Sequence, residues 1–299
     1  MCRSRAPLAA ACLLFVAAGI AAAQPPVFNN ARVTTRQAGA ALDAQVRQLA
    51  ADAAEPTWIG WSVPTRNQGD GNCCWSSTNG MTTGCGCQLE SGNIRATTVA
   101  SSNGSAIKLE AGRQLLVLIR IEDHAIQKVA SYSDACPLDA GGRPVVWIDG
   151  VNPAGSVSFL ARLSSETQAD GKPSRPANGA LAALSQHADP SAVSALIELA
   201  KNNPSAPVRS QALFWLAQQA GERAAATIVN AIQNDPDTGV KKQAVFALSQ
   251  LPKDDGVPKL IEIAKTNRNP EVRKQAVFWL GQSHDPRALR FFEEILTSR

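Results

Sequence analysis

Val208-Arg-Ser-Gln-Ala-Leu-Phe-Trp-Leu-Ala-Gln218 aligns without a gap on Val240-Lys-Lys-Gln-Ala-Val-Phe-Ala-Leu-Ser-Gln250, and both align on Val272-Arg-Lys-Gln-Ala-Val-Phe-Trp-Leu-Gly-Gln282. The spacing from Val208 to Val240 to Val272 sets a period of 32 residues. A more divergent copy lies one period upstream, where Ala180, Leu181, Leu184 and Gln186 take the matching places. Between these stretches a second series repeats: Leu196, Ile228, Leu260 and Phe292 share one column, and Ala200, Ile232, Ala264 and Leu296 another. Each unit therefore holds two helices, each with one apolar stripe that it cannot bury alone. Stacking neighbouring units buries those stripes as one continuous core, which is why such units occur as arrays.

Ahead of the array, Ser164-Ser-Glu-Thr-Gln-Ala-Asp-Gly-Lys-Pro-Ser-Arg175 has no apolar periodicity and collects Gly, Pro and Ser. It reads as a linker over 164–175, with repeats at 176–299 and a cysteine-containing domain at 24–163. That front domain starts with a helix expected from about Thr35 to Asp52, carrying Leu42, Val46 and Leu49 on one face. Extended segments follow near Ile94–Ser101 and Ala106–Leu109. Leu115–Ile121 and Ala125–Tyr132 form a hairpin turning at Glu122-Asp123-His124, and Arg143–Asp149 makes another strand. Trp58, Trp61, Trp75 and Trp147 supply large apolar groups to a small sheet that needs them.

Asn269-Pro-Glu-Val-Arg273, then Ala276 and Leu280-Gly281, then Asp285-Pro-Arg-Ala-Leu289, resemble a bacterial HEAT repeat of the type found in phycobilisome-lyase-like proteins. Ser133-Asp-Ala-Cys-Pro-Leu-Asp-Ala-Gly-Gly142 is similar to a segment in the front domain of exported bacterial HEAT-repeat proteins. The implied fold is a small, β-rich α+β domain followed by an all-α HEAT solenoid. Asp189-Pro190, Asp235-Pro236, Asn269-Pro270 and Asp285-Pro286 fit it, each setting a capping side chain before a first-turn proline.

Plotted at 100° per residue, the second helix of each unit turns Val208, Ala212, Trp215, Leu216 and their equivalents toward the stack. The opposite side carries Ser210, Lys242 and Lys274; then Phe214, Phe246 and Phe278; then Gln218, Gln250 and Gln282. A flanking column holds Arg209, Lys241 and Arg273. The resemblance puts this helix on the concave surface, where these residues would recognise an extended or helical segment of another protein. Phe supplies burial and the cations steer an acidic partner. The alternative is structural: Phe packs sideways on the next unit, and an Arg at a helix end bonds a neighbouring carbonyl or carboxylate.

Asn67-Gln-Gly-Asp-Gly-Asn-Cys-Cys74-Trp75-Ser76 resembles the active-site stretch of papain-like cysteine proteases, with Gln68, Cys74 and Trp75 at the family's spacing. Asp123-His124-Ala125-Ile126 is similar to the segment bearing that family's base. A thiolate activated by imidazole would make a thiol hydrolase of the chain. Against that, His124 follows Cys74 by only 50 residues, where a two-lobed cleft needs about 130 or more. Gly71 also replaces a cysteine of the family's pattern, and no orienting Asn segment follows. The plainer expectation is disulfides between the pair Cys73 and Cys74 and the pair Cys85 and Cys87, in either connectivity, with Cys136 odd or joined to one of the four. A zinc site on the same four cysteines lacks the usual C-x-x-C spacing. His187 and His284 read as helix-end or surface groups. No phosphate loop, dinucleotide fingerprint or zinc-protease motif occurs, so neither cofactor nor metal is expected.

Arg3 and Arg5, an apolar run from Leu8 to Ala23, and the small residues Ala21-Ala22-Ala23 describe a secretory signal peptide over 1–23. Its loss takes two of 29 cations, leaving 27 against 25 acids. A balance so close to neutral excludes general nucleic-acid affinity, which requires a basic surplus. The expected mature chain has no transmembrane segment, enters a periplasmic or extracellular space where disulfides persist, and binds a protein without catalysis.

Overall fold

The computed structural model describes residues 26–66, 75–78, 81–84, 87–90, 114–134, 136, 138–219 and 221–297, with the backbone alone at 75–78, 81–84, 87 and 222. The expected signal peptide, the strands near Ile94–Ser101 and Ala106–Leu109, and Cys73, Cys74 and Cys85 lie outside these residues. The strands are β1 (Phe28–Asn29), β2 (Arg32–Gln37), β3 (Thr57–Pro64), β4 (Trp75–Thr78), β5 (Met81–Gly84), β6 (Cys87–Gln88), β7 (Gln114–Glu122), β8 (Ala125–Ser133), β9 (Leu138–Asp139) and β10 (Pro144–Asp149). The helices are α1 (Leu42–Ala51), α2 (Pro153–Ser164), α3 (Arg175–Gln186), α4 (Pro190–Asn202), α5 (Ala206–Ala217), α6 (Glu222–Asn234), α7 (Thr238–Ser249), α8 (Lys253–Thr266), α9 (Pro270–Gln282) and α10 (Pro286–Thr297).

The main sheet runs β2-β10-β3-β7-β8, with β10 parallel to both neighbours and β3, β7 and β8 antiparallel. In β3, β7 and β10 successive side chains alternate faces and both faces are buried, whereas β2 at the edge is exposed throughout. Ile59, Trp61, Val63, Val117, Ile119 and Ile148 join the core shared with the helices. Trp58, Leu116, Leu118, Val145 and Trp147 form a second core with Leu89, Leu138 and Cys136, beside the small parallel sheet β1-β9-β6. Gly60 is required in β3, because a Cβ there would stand 2.5 Å from Leu118 Cδ2 and 3.1 Å from the Trp147 ring. Cys136 is buried and disulfide-bonded.

The β7–β8 hairpin turns at Asp123 and His124, whose φ values of 51° and 57° are those of a type I′ turn. The first helix begins seven residues later than its sequence pattern predicts. Thr35 to Gln37 are extended in β2, where they pair with β10 from Arg32 to Gln37. That ladder satisfies the backbone, and Leu42, Val46 and Ala50 suffice for the buried stripe of α1.

The helical stack begins upstream of the polar segment at 164–175. Asn152 caps α2 through Gly155 N–H, with Pro153 in the first turn. Phe159 of α2 meets Trp61 edge-on at 5.7 Å, and Trp61 Nε1 donates to Ser156 Oγ at 3.0 Å. The helix also packs on α3 and α4. The polar segment is thus a folded connection within the first helix pair. Gln168 N–H donates to Lys172 O, Ser174 N–H to Glu166 O, and Ser205 Oγ to Gly171 O across the next pair.

Sheet and helices are further joined at the end of α3, which lies against β8. Arg66 N–H donates to Gln186 O and Ala188 N–H to Pro64 O, each at 2.9 Å. His187, expected as a helix-end or surface group, is the residue that ends α3 and is fully buried in this junction. Its Nδ1 accepts from Asp189 N–H at 3.2 Å, and burial pushes its pKa down to about 4, opposed by the Asp189 charge. The unfolded chain therefore binds a proton between pH 6.5 and 4 that the folded chain refuses, so stability falls as pH drops through that window. We expect a loss of about 2 kcal/mol between pH 7 and 4.5 that is absent in His187→Gln, measured by urea unfolding. Asp189 and Asp285, both held below the usual carboxylate range, lose their contribution only at lower pH.

Candidate protein-binding surface

Each unit is a helix pair: α2 with α3, α4 with α5, α6 with α7, and α8 with α9. The second helices stack serially, α3 on α5, α5 on α7 and α7 on α9. Val208, Ala212, Leu216, Val240, Ala244, Leu248, Val272, Ala276 and Leu280 are buried, as the apolar columns require. Asp189, Asn269 and Asp285 accept the expected N-terminal bonds from Ser191, Glu271 and Arg287. Asp235 does not cap α7, a place taken by Asp237.

Asp235 instead receives Arg209. Arg209 Nε and Nη2 donate to the two carboxylate oxygens at 2.8 and 2.9 Å, and Nη1 donates to the carbonyls of Asn203 and Pro204. Both side chains are under 10% exposed, with Arg209 at 9% and Asp235 at 6%. The hydrogen bonds to Asp235 raise the Arg209 pKa further. Lys241 Nζ reaches Gln233 O, and Arg273 Nη1 reaches the carbonyls of Asn267 and Arg268. This column therefore ties each second helix to the C-terminal carbonyls of the helix before it, which lack partners inside their own helix. Arg209, buried, leaves the partner-facing set for that reason, while Lys241 and Arg273 are half-buried and keep part of their side chains at the surface.

The other columns stay on the surface. Gln218, Gln250, Gln282 and Lys274 are exposed, Lys242 is half-buried, and Phe278 is 53% exposed. The phenylalanines make one file of rings rather than three separate ones. Phe214 and Phe246 are parallel within 6° at 6.2 Å, Phe246 meets Trp279 at 4.9 Å, and Trp279 meets Phe278 at 5.0 Å. Trp215 joins through Phe214 at 5.0 Å. Sequence reasoning turned the tryptophans toward the stack, and both pack against its core while remaining half-buried members of this file. The signal was there in the column Trp215, Ala247, Trp279, where the small middle residue breaks the repeat. Trp279, Gln250 and Gln282 also line a cleft of about 150 Å³ with Lys253 and Leu260.

A family profile described as HEAT repeats matches residues 177–249 and, overlapping, 225–299. The helical part carries HEAT repeats. Among solved structures, human deoxyhypusine hydroxylase in complex with glycerol is similar at 20% identity with a TM-score of 0.35. That likeness spans 42% of this chain and 43% of the hydroxylase. No curated protein sequence matches the chain.

Of the residues behind a thiol hydrolase, Gln68 and Cys74 lie outside the described residues. His124 occupies the hairpin turn, with Nδ1 3.3 Å from the Ala50 carbonyl. Among the described residues no group of three His, Cys, Asp or Glu is placed to hold a metal ion. No described helix is long and apolar enough to cross a membrane.

Proposed function

We propose that the chain is an exported, non-catalytic binding protein whose HEAT repeats hold an acidic, apolar-containing segment of another protein. The reading is carried by one observation, the aromatic file running along α5, α7 and α9 beside Lys242 and Lys274. Half-buried rings and the exposed Phe278 supply apolar contact at small entropic cost, and the cations set the sign of the partner. The 150 Å³ cleft at Trp279 takes one apolar side chain of that segment. HEAT arrays in general use extended surfaces of this kind for protein partners. Export rests on the basic, apolar and small-residue pattern of residues 1–23.

Selection of a displayed random peptide library on the immobilised chain is expected to enrich sequences placing Asp or Glu beside apolar residues. A variant with Phe278→Ser, Lys242→Glu and Lys274→Glu should bind the selected peptides at least about tenfold more weakly, with unchanged helicity. Phe278 is the ring of choice because its exposure keeps the substitution from disturbing the core. Enrichment of basic peptides, or equal binding by the variant, would remove this reading.

A further inference from the structure

The last two helices, α9 and α10, differ from the earlier ones at positions where the repeat should make them alike. Leu213 and Val245 are fully buried, yet Val277 in the same column is 36% exposed. Val257 and Ile263 of α8 are under 7% exposed, whereas their equivalents in α10, Leu289 and Ile295, are 61% and 49% exposed. Leu296, in the column of the fully buried Ile232, is 82% exposed. In interior units the next helix pair covers these columns. At α9 and α10 no described residue does, and these apolar columns are exposed.

We propose that this face pairs with itself, two chains joining end to end through α10 about a two-fold axis. The charges on the helix choose a copy over an unrelated partner. Leu289, Phe292 and Leu296 lie along one stripe, flanked on one side by Arg290 toward the N-terminus and Glu293 toward the C-terminus, both exposed. An antiparallel copy sets Leu289 against the partner subunit's Leu296 and carries Arg290 toward the partner subunit's Glu293. Each interaction is made twice, as an isologous contact requires. A parallel neighbour would oppose like charges instead. The opposite end of the stack is covered by the sheet, through α2 on β3 and α3 on β7 and β8. A face that pairs with itself about a two-fold axis closes at two copies and does not grow into a filament.

Sedimentation equilibrium of the chain at tens of micromolar tests this directly. The chain is expected to be a dimer, and Leu289→Asp with Leu296→Asp a folded monomer, since both side chains are exposed in the single chain. Arg290→Glu should weaken association, and adding Glu293→Arg should restore it, an outcome that general loss of folding cannot produce. The triple variant at Phe278, Lys242 and Lys274 should remain a dimer, which separates this face from the peptide-binding one. A monomeric parent chain, a dimer indifferent to both leucine substitutions, or failure of the charge exchange to restore pairing would overturn the proposal.

Discussion

Gly179→Ala is expected to destabilise the protein by about 3 kcal/mol or more, where the same change in a free helix stabilises by roughly 0.5–1 kcal/mol. The reversal comes from contact. Gly179 sits in α3 where that helix crosses β8, and a Cβ would overlap the Val129 carbonyl oxygen, with the carbonyl carbon 2.8 Å away. Both obstacles are backbone of a sheet strand paired along its length with β7. No rotamer change relieves the clash, so helix and sheet must part. Gly281→Ala, in α9 with nothing within 4 Å of the new methyl, is the control and should be neutral or mildly stabilising. Urea unfolding of the two variants decides the matter. An unchanged or raised midpoint for Gly179→Ala would mean that the contact between helix and sheet does not hold in solution.

Breaking the pair of Arg209 and Asp235 is the second large effect. Arg209→Ala leaves the Asp235 carboxylate without its counter-charge, with the Asp237 N–H still donating to it, and takes a donor from two carbonyls in a nearly dry site, so a cost of about 3–5 kcal/mol is expected. Asp235→Ala should cost as much, since a buried guanidinium then lacks its counter-charge. Arg209→Lys recovers little, because one ammonium cannot reproduce the two-pronged bond and the carbonyl contacts together. By contrast, Lys241→Ala in the same column should change stability by no more than about 0.5 kcal/mol, having one exposed bond to lose. If Arg209→Ala proved as mild as Lys241→Ala, the column would be a surface feature after all.

Those two sites show where sequence reasoning stops. Columns at 32 residues located the helix pairs because burial of one stripe per helix is a local, periodic demand that leaves its mark in every unit. The β7–β8 hairpin was legible for the same reason: alternation supplies the strands and the turn residues their end. The column of Arg209, Lys241 and Arg273 looked like a basic surface because period alone gives an angle and not a neighbour. Whether a cation at that angle meets water or the carbonyls of the preceding helix depends on how two helices approach.

The tryptophans were placed only in part. Helical angle turned Trp215 and Trp279 toward the stack, and both do pack against its core, yet they are half-buried and Trp279 also lies on Phe246 beside the small Ala247. Strand β3 and helix α2 were missed altogether. Both are buried by non-local partners, Trp61 against Phe159 across almost a hundred residues of chain, and neither carries a repeat to announce it. By itself the sequence determined that the second part of this protein is a series of repeated helix pairs and that the first contains a hairpin-built sheet, since both follow from periodic burial along one chain. Only the tertiary structure decided that sheet and helix pairs are fused through α2, α3 and Gly179, which cations are tied down, and which apolar columns stand exposed. Those are properties of contacts between segments far apart in sequence, where no period survives to be read.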